Sequence, residues 1–140
     1  MKITRIVEFD AAHRVMKHES KCATLHGHRY KVEITAEASQ LDPVGRVIDF
    51  SVLKDRIGGW IEERWDHTTL LNHEDTEVLE AVKKFPGFKQ PFALPYNPTA
   101  ERMAAYLLCT VCPPLMAGTG VTVTKIKIWE TPNCWAECEL

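Results

Sequence analysis

One segment limits the folds open to this chain more than any other. Between residues 30 and 38, apolar side chains fall on the even positions and polar or charged ones on the odd positions. The apolar set is Tyr30, Val32, Ile34, Ala36 and Ala38. This period of two predicts a β-strand with one buried and one solvated face. Extended toward the N-terminus, the buried face reaches His28 and then His26, so two imidazoles from one strand must lie where hydrocarbon is expected.

Two further patterns predict strands on either side of a helical region. A first strand over about residues 2–13 has an apolar face that ends in His13. A hairpin over about residues 121–140 closes the chain, and in its first arm Glu130 shares a face with Ile126 and Ile128. The element order is therefore strand, strand, helix, helix, strand, strand. It predicts an α+β protein with an antiparallel sheet.

The two helices are predicted from caps and from apolar residues at helical spacing. The first begins after Asp49 or Ser51 as N-cap and ends before the pair at 66–67. The second begins with Asn97 as N-cap and Pro98 in its first turn, and the two prolines at 113–114 should end it. The polar, proline-bearing segment between them, residues 73–96, has room for one short helix before a loop.

Length and charge narrow the choice of partner. A chain of 140 residues fits one domain, residues 1–140. With 17 basic and 19 acidic residues its formal charge is −2, which provides no attraction for nucleic acid or an acidic membrane, so we expect a small-molecule partner. The N-terminal stretch "MKITRIVEFDAAH" lacks the apolar run of a signal peptide or membrane span. We therefore expect a cytoplasmic protein with reduced cysteines.

The cysteines allow two interpretations. Cys109 and Cys112 form a C-x2-C pair and Cys134 and Cys138 a C-x3-C pair, which together are compatible with a structural zinc site. Because the first pair closes an amphipathic helix and the second alternates along a short strand, the favoured interpretation is that these are small buried residues. Cys22 belongs to neither pattern.

The three inward-facing histidines predict a metal site. A lone buried histidine is usually a core residue with satisfied hydrogen bonds. His26 and His28, however, are two residues apart on one strand face, and His13 ends the apolar face of the other strand. Three neutral imidazoles on one zinc ion leave its fourth position open for water or substrate, which is the arrangement of a catalytic site.

Six motifs carry a resemblance to a known family. "FDAAHR", "CATLHGH", "VIDFSVLK", "WDHTTLLN", "NPTAE" and "WETPN" occur in the order typical of the 6-pyruvoyltetrahydropterin synthase / 6-carboxytetrahydropterin synthase family, and the resemblance covers nearly the whole chain. It implies a tunnelling fold (T-fold), in which a four-stranded antiparallel sheet backed by two helices joins other copies into a barrel. The common assembly is a homohexamer of two trimers, with the sites at subunit interfaces.

The resemblance also implies roles for individual residues. By position, His13, His26 and His28 resemble the family's zinc ligands, and Cys22 resembles its catalytic base. A cysteine removes a proton as its thiolate, and zinc acidifies neighbouring C–H bonds as a Lewis acid. Relatives that release a different product carry a glutamate just before H-G-H in place of the cysteine, and no acid flanks Cys22 here.

Four more residues take roles by the same resemblance. Asp66 and His67 resemble the pair that relays the proton, although "DH" at a helix end is by itself an ordinary cap. Glu130 resembles the pterin anchor, since a carboxylate accepts two parallel hydrogen bonds from the ring N–H and amine of a pterin. Thr99 and Glu101 are weaker candidates for substrate binding, and Glu101 also has the simpler role of favouring the helix dipole.

The implied substrate is 7,8-dihydroneopterin triphosphate. Two products compete: 6-carboxytetrahydropterin with loss of acetaldehyde, on the route to queuosine, and 6-pyruvoyltetrahydropterin, on the route to biopterin. We favour the first because the chain has no N-terminal extension. A silent pterin- or purine-binding relative and a zinc hydrolase remain alternatives that would not need Cys22. The 73–96 segment, longer than in the most compact members, is expected to act as a lid or to contact a neighbouring subunit.

Overall fold

Six strands of one sheet form the framework of the molecule. The computed structural model describes residues 1–87 and 89–140. Its strands are β1 (Lys2–His13), β2 (His26–Ala38), β3 (Thr68–Asn72), β4 (Phe92–Leu94), β5 (Val121–Thr131) and β6 (Cys134–Glu139). Their order across the sheet is β4-β3-β1-β2-β5-β6. The α+β class predicted from the sequence is therefore correct.

The predicted antiparallel sheet is the centre of a larger, mixed sheet. The neighbours β1–β2, β2–β5 and β5–β6 pair antiparallel, as predicted. The short strands β3 and β4 add to the β1 side, and both of these pairings are parallel. The expectation of four strands was wrong because β3 and β4 are only five and three residues long. Such short runs show no clear alternation, and their parallel pairing depends on the intervening chain crossing over the sheet.

The chain has three helical segments, and the two long ones pack against the sheet. Helix α1 occupies residues 50–64 as α-helix Phe50–Leu53, a π-helical turn Lys54–Gly58 and α-helix Gly59–Arg64. The Asp49 side chain accepts a hydrogen bond from the Ser51 N–H, so Asp49 is its N-cap. Helix α2 is Thr76–Lys83, the short helix allowed for in the 73–96 segment. Helix α3 occupies residues 100–116.

Helix α3 differs from its prediction at both ends. Its N-cap is Thr99, whose side chain accepts from the Arg102 N–H at 3.4 Å, and not Asn97. The side chain of Asn97 is instead bonded to the backbone of Met16. At the other end the helix runs through Pro113 to Met116, because a π-helical turn, Leu107–Val111, precedes it. The prolines then lie in the first turn of a new α-helical segment, where no N–H donor is required.

The core lies between the helices and the face of the sheet that the alternation predicted. Tyr30, Val32, Ile34 and Ala36 are all fully buried, and Phe9 stacks on Tyr30 with ring centroids 5.0 Å apart. Further large buried side chains come from β3, β4, β5 and the two long helices with their ends, among them Trp65, Leu70, Leu94, Met103 and Ile126. No helix among the described residues has the length and apolar character needed to span a membrane.

The antiparallel register brings the predicted ligand histidines together. His13 pairs with His26, and Ala11 pairs with His28. Gly27 lies between the two histidines, and a Cβ atom there would stand 3.0 Å from the Ala11 carbonyl oxygen. A side chain at this position would therefore push the strands apart just where the imidazoles meet.

Candidate metal centre and active-site cavity

Three imidazoles form a compact cluster at the end of the β1–β2 ladder. One ring nitrogen from each of His13, His26 and His28 lies within 4.8 Å of the others. The ring centroids are 4.7 Å apart for His13–His26, 4.9 Å for His26–His28 and 5.2 Å for His13–His28. The three predicted ligands are thus close enough to bind one ion.

Backbone carbonyls fix the tautomers of two of these rings. His13 Nδ1 lies 2.8 Å from the Pro98 carbonyl oxygen, and His26 Nδ1 lies 2.6 Å from that of Thr24. Since a carbonyl oxygen only accepts, each Nδ1 donates and each Nε2 keeps a free lone pair. Metal-binding histidines are held in this way by their second nitrogen.

The remaining nitrogens fit a cation. Among the described residues, the buried Nε2 atoms of His13 and His28 have no hydrogen-bond partner. A buried, unpaired ring nitrogen is costly, and a metal ion at the cluster would satisfy both. Burial also lowers the pKa of both rings, although Glu130 and, for His13, the Pro98 carbonyl act in the opposite direction. A lowered pKa favours the neutral form of these two imidazoles, which is the form that binds a metal.

A cavity of about 240 Å³ opens next to the cluster. It brings together five of the predicted residues, His13, Cys22, Thr99, Glu101 and Glu130. The other lining residues were not predicted, and three of them carry a polar or aromatic side chain: His18, Cys134 and Trp135. Of these, only His18 had a usable signal, since it lies four residues before Cys22 in the same loop. The other two lie just past the "WETPN" turn, and only the fold brings them to the cavity.

Glu130 lies at the end of the apolar row on β5, as its spacing predicted. Ile126 and Ile128 are fully buried, whereas the Glu130 side chain keeps 26% of its surface exposed. Its Oε1 lies 3.6 Å from His28 Nε2. A carboxylate is therefore presented to the cavity beside the proposed ligand cluster, where an incoming N–H donor can reach it.

Cys22 and the α3 terminus complete the cavity. Cys22 lies in a short 3-10 turn, Lys21–Ala23, and its thiol is free and half-buried. Thr99 caps α3, and Glu101 lies in the first turn, where a carboxylate also favours the helix dipole. Each of these two residues thus has a structural role besides its place in the cavity wall.

Asp66 and His67 do not line the cavity that contains Cys22. His67 Nδ1 is 2.8 Å from Asp66 Oδ2, and the other carboxylate oxygen accepts from the Asp10 N–H at 2.9 Å. These hydrogen bonds lower the pKa of Asp66 although burial acts to raise it. Ligand atoms of Asp10, Asp66 and His67 come within 4.8 Å of one another. Because Asp10 alternates with Ala11 along β1, this group lies on the opposite face of the sheet from His13.

The His67 side chain is largely exposed to solvent. Its backbone has a φ of 54°, a left-handed conformation that is uncommon outside glycine, and 74% of the side chain is exposed. It lines a separate, open cavity of about 510 Å³ together with Asp10 and Thr69. Within one chain, the predicted proton-relay pair is therefore separated by the sheet from the cavity that contains Cys22.

The cysteines do not form the alternative zinc site. Within the described parts of the chain, the groups of three or more potential ligands close enough to share an ion are the histidine cluster and the Asp10 group, and neither contains a cysteine. Cys112 is buried, and burial raises its pKa to about 12, as expected of a packed thiol. Cys109 and Cys134 are exposed and Cys138 is only half-buried, so the prediction that all four are buried is correct for Cys112 alone.

Comparison with known proteins places the whole chain in one group. A family model described as 6-pyruvoyl tetrahydropterin synthase matches residues 2–140. A protein of Rickettsia bellii named 6-carboxy-5,6,7,8-tetrahydropterin synthase is 43% identical over 98% of this chain and 99% of its own length. The protein of that name from Haemophilus influenzae is 28% identical over 97% of this chain and 96% of its own length.

Solved structures share the fold. An uncharacterised protein of Wolinella succinogenes has a TM-score of 0.84 at 23% identity, covering 99% of this chain and 97% of its own. The 6-pyruvoyl tetrahydropterin synthase of Caenorhabditis elegans has a TM-score of 0.68 at 22% identity, covering 99% and 94%. At these identities the likeness extends to the arrangement of strands and helices.

Proposed function

This chain belongs to the 6-pyruvoyl tetrahydropterin synthase family, and from that premise we propose that it is a metal-dependent lyase acting on 7,8-dihydroneopterin triphosphate. The products are 6-carboxy-5,6,7,8-tetrahydropterin, acetaldehyde and triphosphate. The relatives that support this choice of product carry the corresponding name and match over 98% of this chain. The geometric observation that carries the proposal is the single cavity lined by His13, Cys22 and Glu130.

His13, His26 and His28 would hold the metal, which we propose to be Zn²⁺ because three neutral imidazoles are a common ligand set of catalytic zinc. Bound there, zinc supplies Lewis acidity to the oxygens of the substrate side chain. The Nδ1 contacts with Pro98 and Thr24 keep the ligand nitrogens oriented toward one point.

The chain's own groups then divide the work. Glu130 binds the pterin edge by accepting two parallel hydrogen bonds, which sets the ring's orientation in the cavity. Cys22, as thiolate, removes a proton from a side-chain carbon placed between it and the metal ligands. Thr99 and Glu101, in the same wall, assist in binding. His67, with Asp66 fixing its tautomer, returns a proton.

The last step requires a second copy of the chain. Because the Asp66–His67 pair lies across the sheet from Cys22, we propose that one subunit supplies the thiol and another the relay pair. The edges of the sheet support such an assembly. β1 pairs with β3 only at residues 11–13, which leaves its residues 2–10 with unpaired backbone groups on that side among the described strands. A homohexamer of two trimers, closed through such edges, is the proposed active form.

Identification of the reaction products distinguishes the proposed function from its alternatives. The metal-loaded enzyme is incubated with 7,8-dihydroneopterin triphosphate, and the pterin and aldehyde products are identified by mass spectrometry. Formation of 6-carboxytetrahydropterin together with acetaldehyde supports the proposal. Formation of 6-pyruvoyltetrahydropterin would replace it with the biopterin-route activity, and binding without turnover would indicate a silent relative.

The metal ligands are tested separately by elemental analysis. Purified protein should contain one zinc per chain, and His28→Ala should lose most of it because two imidazoles hold zinc poorly. Cys112→Ala is the matched control, since it changes a buried thiol away from the cluster. If His28→Ala kept its zinc and Cys112→Ala lost it, the histidine site would be refuted.

A further inference from the structure

The loop that carries Cys22 is held to the rest of the protein by a few polar contacts, among them an ion pair between Arg14 Nε and the buried Asp75 at 2.6 Å. Residues 14–25 connect β1 to β2, and not one of them is buried. Within the loop, the Val15 N–H donates to the Cys22 carbonyl at 2.9 Å, and the His18 N–H donates to the Val15 carbonyl at 3.3 Å. Lys17 has a φ of 60°, a left-handed conformation that costs energy in a non-glycine residue. Such a loop keeps one conformation only if the surrounding structure fixes it.

Asn97 supplies that support from a distant part of the chain. Its Oδ1 accepts from the Met16 N–H at 3.0 Å, and its Nδ2 donates to the Met16 carbonyl, also at 3.0 Å. One side-chain amide thus satisfies both backbone groups of Met16, as a neighbouring strand would. Asn72 Nδ2 donates a second hydrogen bond to Asn97 Oδ1, at 3.3 Å, which also fixes the orientation of the amide. Met16 is next to Val15, whose N–H bonds to Cys22, so the support reaches Cys22 through two contacts.

The following residue contacts the metal cluster. The Pro98 carbonyl accepts from His13 Nδ1, as described above, and Thr99 lines the cavity. Three consecutive residues, 97–99, therefore contact three parts of the site: the loop that carries Cys22, the proposed metal ligand His13 and one wall of the cavity. A shift of Asn97 would change the distance between Cys22 and the metal cluster.

From this arrangement we infer that Asn97 is a positioning residue, which places the Cys22 thiol relative to the metal ligands by clamping the backbone of Met16. The inference rests on the proposed function for the meaning of Cys22. It gives Asn97 a role other than the N-cap that its sequence position predicts. The clamp needs both an acceptor and a donor, which only an amide of this length offers.

Two variants test the clamp in the metal-loaded oligomer. Asn97→Asp keeps the shape and one acceptor but places a carboxylate oxygen against the Met16 carbonyl, while Asn97→Ala removes both bonds. Asp42→Ala is the matched control, because Asp42 Oδ1 clamps an unrelated loop by accepting from the N–H groups of Val44 and Arg46 at 3.0 and 2.8 Å. All three lose side-chain bonds to loop backbone, so a general loss of stability affects them alike.

The decisive measurement does not require substrate. The rate of Cys22 alkylation by iodoacetamide is followed by peptide mass spectrometry across pH, with the exposed Cys109 as internal standard. Both Asn97 variants should change the Cys22 rate and its pH profile severalfold while Cys109 reacts as before, and Asp42→Ala should change neither. With substrate, kcat should fall about tenfold to a hundredfold with little change in KM, the usual cost of misplacing a reacting group by about 1 Å.

Each outcome has a distinct meaning. If Cys22 in the folded Asn97 variants is alkylated with the wild-type rate and pH profile, the positioning role is overturned whatever the activity. If the wild-type enzyme does not turn over dihydroneopterin triphosphate, the proposed function fails, but the alkylation result still decides the role of Asn97. Should Asn97→Ala not fold, Asn97→Asp gives the same readout with the shape of the side chain preserved.

Discussion

At the scale of single residues, the cavity combines groups whose proposed roles are chemically independent. Cys22 is a thiol on a loop, Glu130 a carboxylate at the end of a central strand, and the ligand nitrogens belong to the β1–β2 ladder. The three lie on different elements of the fold. Substitution can therefore remove one role and leave the others intact.

Cys22→Ala should abolish turnover and nothing else. Fold, metal content and pterin binding should persist, because none of them uses the sulfur, while kcat falls on the order of a hundredfold to ten-thousandfold. Turnover assays measure kcat, elemental analysis measures the metal content, and calorimetric titration measures pterin binding. Wild-type turnover by metal-loaded Cys22→Ala would contradict the base role and favour a hydrolase that uses metal-bound water.

Glu130→Gln should behave differently from Cys22→Ala. An amide places an N–H against one of the pterin's ring donors, and an unsatisfied buried donor costs about 1–3 kcal/mol. Pterin affinity should therefore fall about tenfold to a hundredfold, together with turnover, and the same titration measures it. An unchanged affinity for pterin would show that the anchor lies elsewhere.

At the scale of elements, the spacing between β1 and β2 controls the metal cluster. The histidines project from two paired strands, and Gly27 allows the strands their close approach at that point. The Ala11 carbonyl that a new Cβ would meet belongs to the backbone, so it cannot rotate away as a side chain would. A change in the distance between the two strands therefore changes the distances between the metal ligands.

Gly27→Ala should consequently weaken metal binding. We expect overpacking to cost about 1–3 kcal/mol of unfolding free energy, and metal affinity to fall by about tenfold or more as the ligands separate. Gly59→Ala is the control, since Gly59 is helical and a Cβ there meets no atom within 4 Å. It should be neutral or stabilising by up to about 1 kcal/mol. Competition with a zinc chelator and urea unfolding measure both effects; equal metal affinity in the two variants would contradict the prediction.

At the scale of the whole molecule, the proposed mechanism needs groups from more than one chain. The proposed relay pair and the thiol lie on opposite faces of one sheet, and among the described strands β1 leaves the backbone groups of residues 2–10 unpaired on its β3 side. We therefore expect the assembly to determine activity. A folded monomer would hold all the groups but would not bring them together.

Mixed oligomers test this requirement. Cys22→Ala and His67→Ala should each be inactive alone, whereas oligomers assembled from equal amounts of both should regain activity. If each site takes its thiol and its relay pair from different subunits, random mixing leaves about one quarter of the sites intact. Turnover of the coexpressed, mass-verified mixture measures this fraction. No recovery, or activity in a monomer shown by light scattering, would contradict the shared site.

The sequence alone predicted the features that depend on local periodicity. Alternation determines which face of a strand a residue occupies, so His26, His28 and Glu130 could be assigned to the inner face before any contact was known. Because one loop connects the two N-terminal strands, antiparallel pairing between them was expected to bring His13 close to His26. The motifs identified the family, and with it the class of fold.

Other features were decided by contacts between residues far apart in the chain. Local rules favoured Asn97 as a helix cap, but its amide bonds to Met16, 81 positions away, and the cap passes to Thr99. Similarly, a π-helical turn lets α3 continue through two prolines, and the short strand β3 forms by pairing with β1, while β4 forms by pairing with β3. The separation of Asp66–His67 from Cys22 has the same origin. The sequence shows which residues alternate within a strand. It does not show on which face of the sheet a turn residue lies after the chain has crossed over.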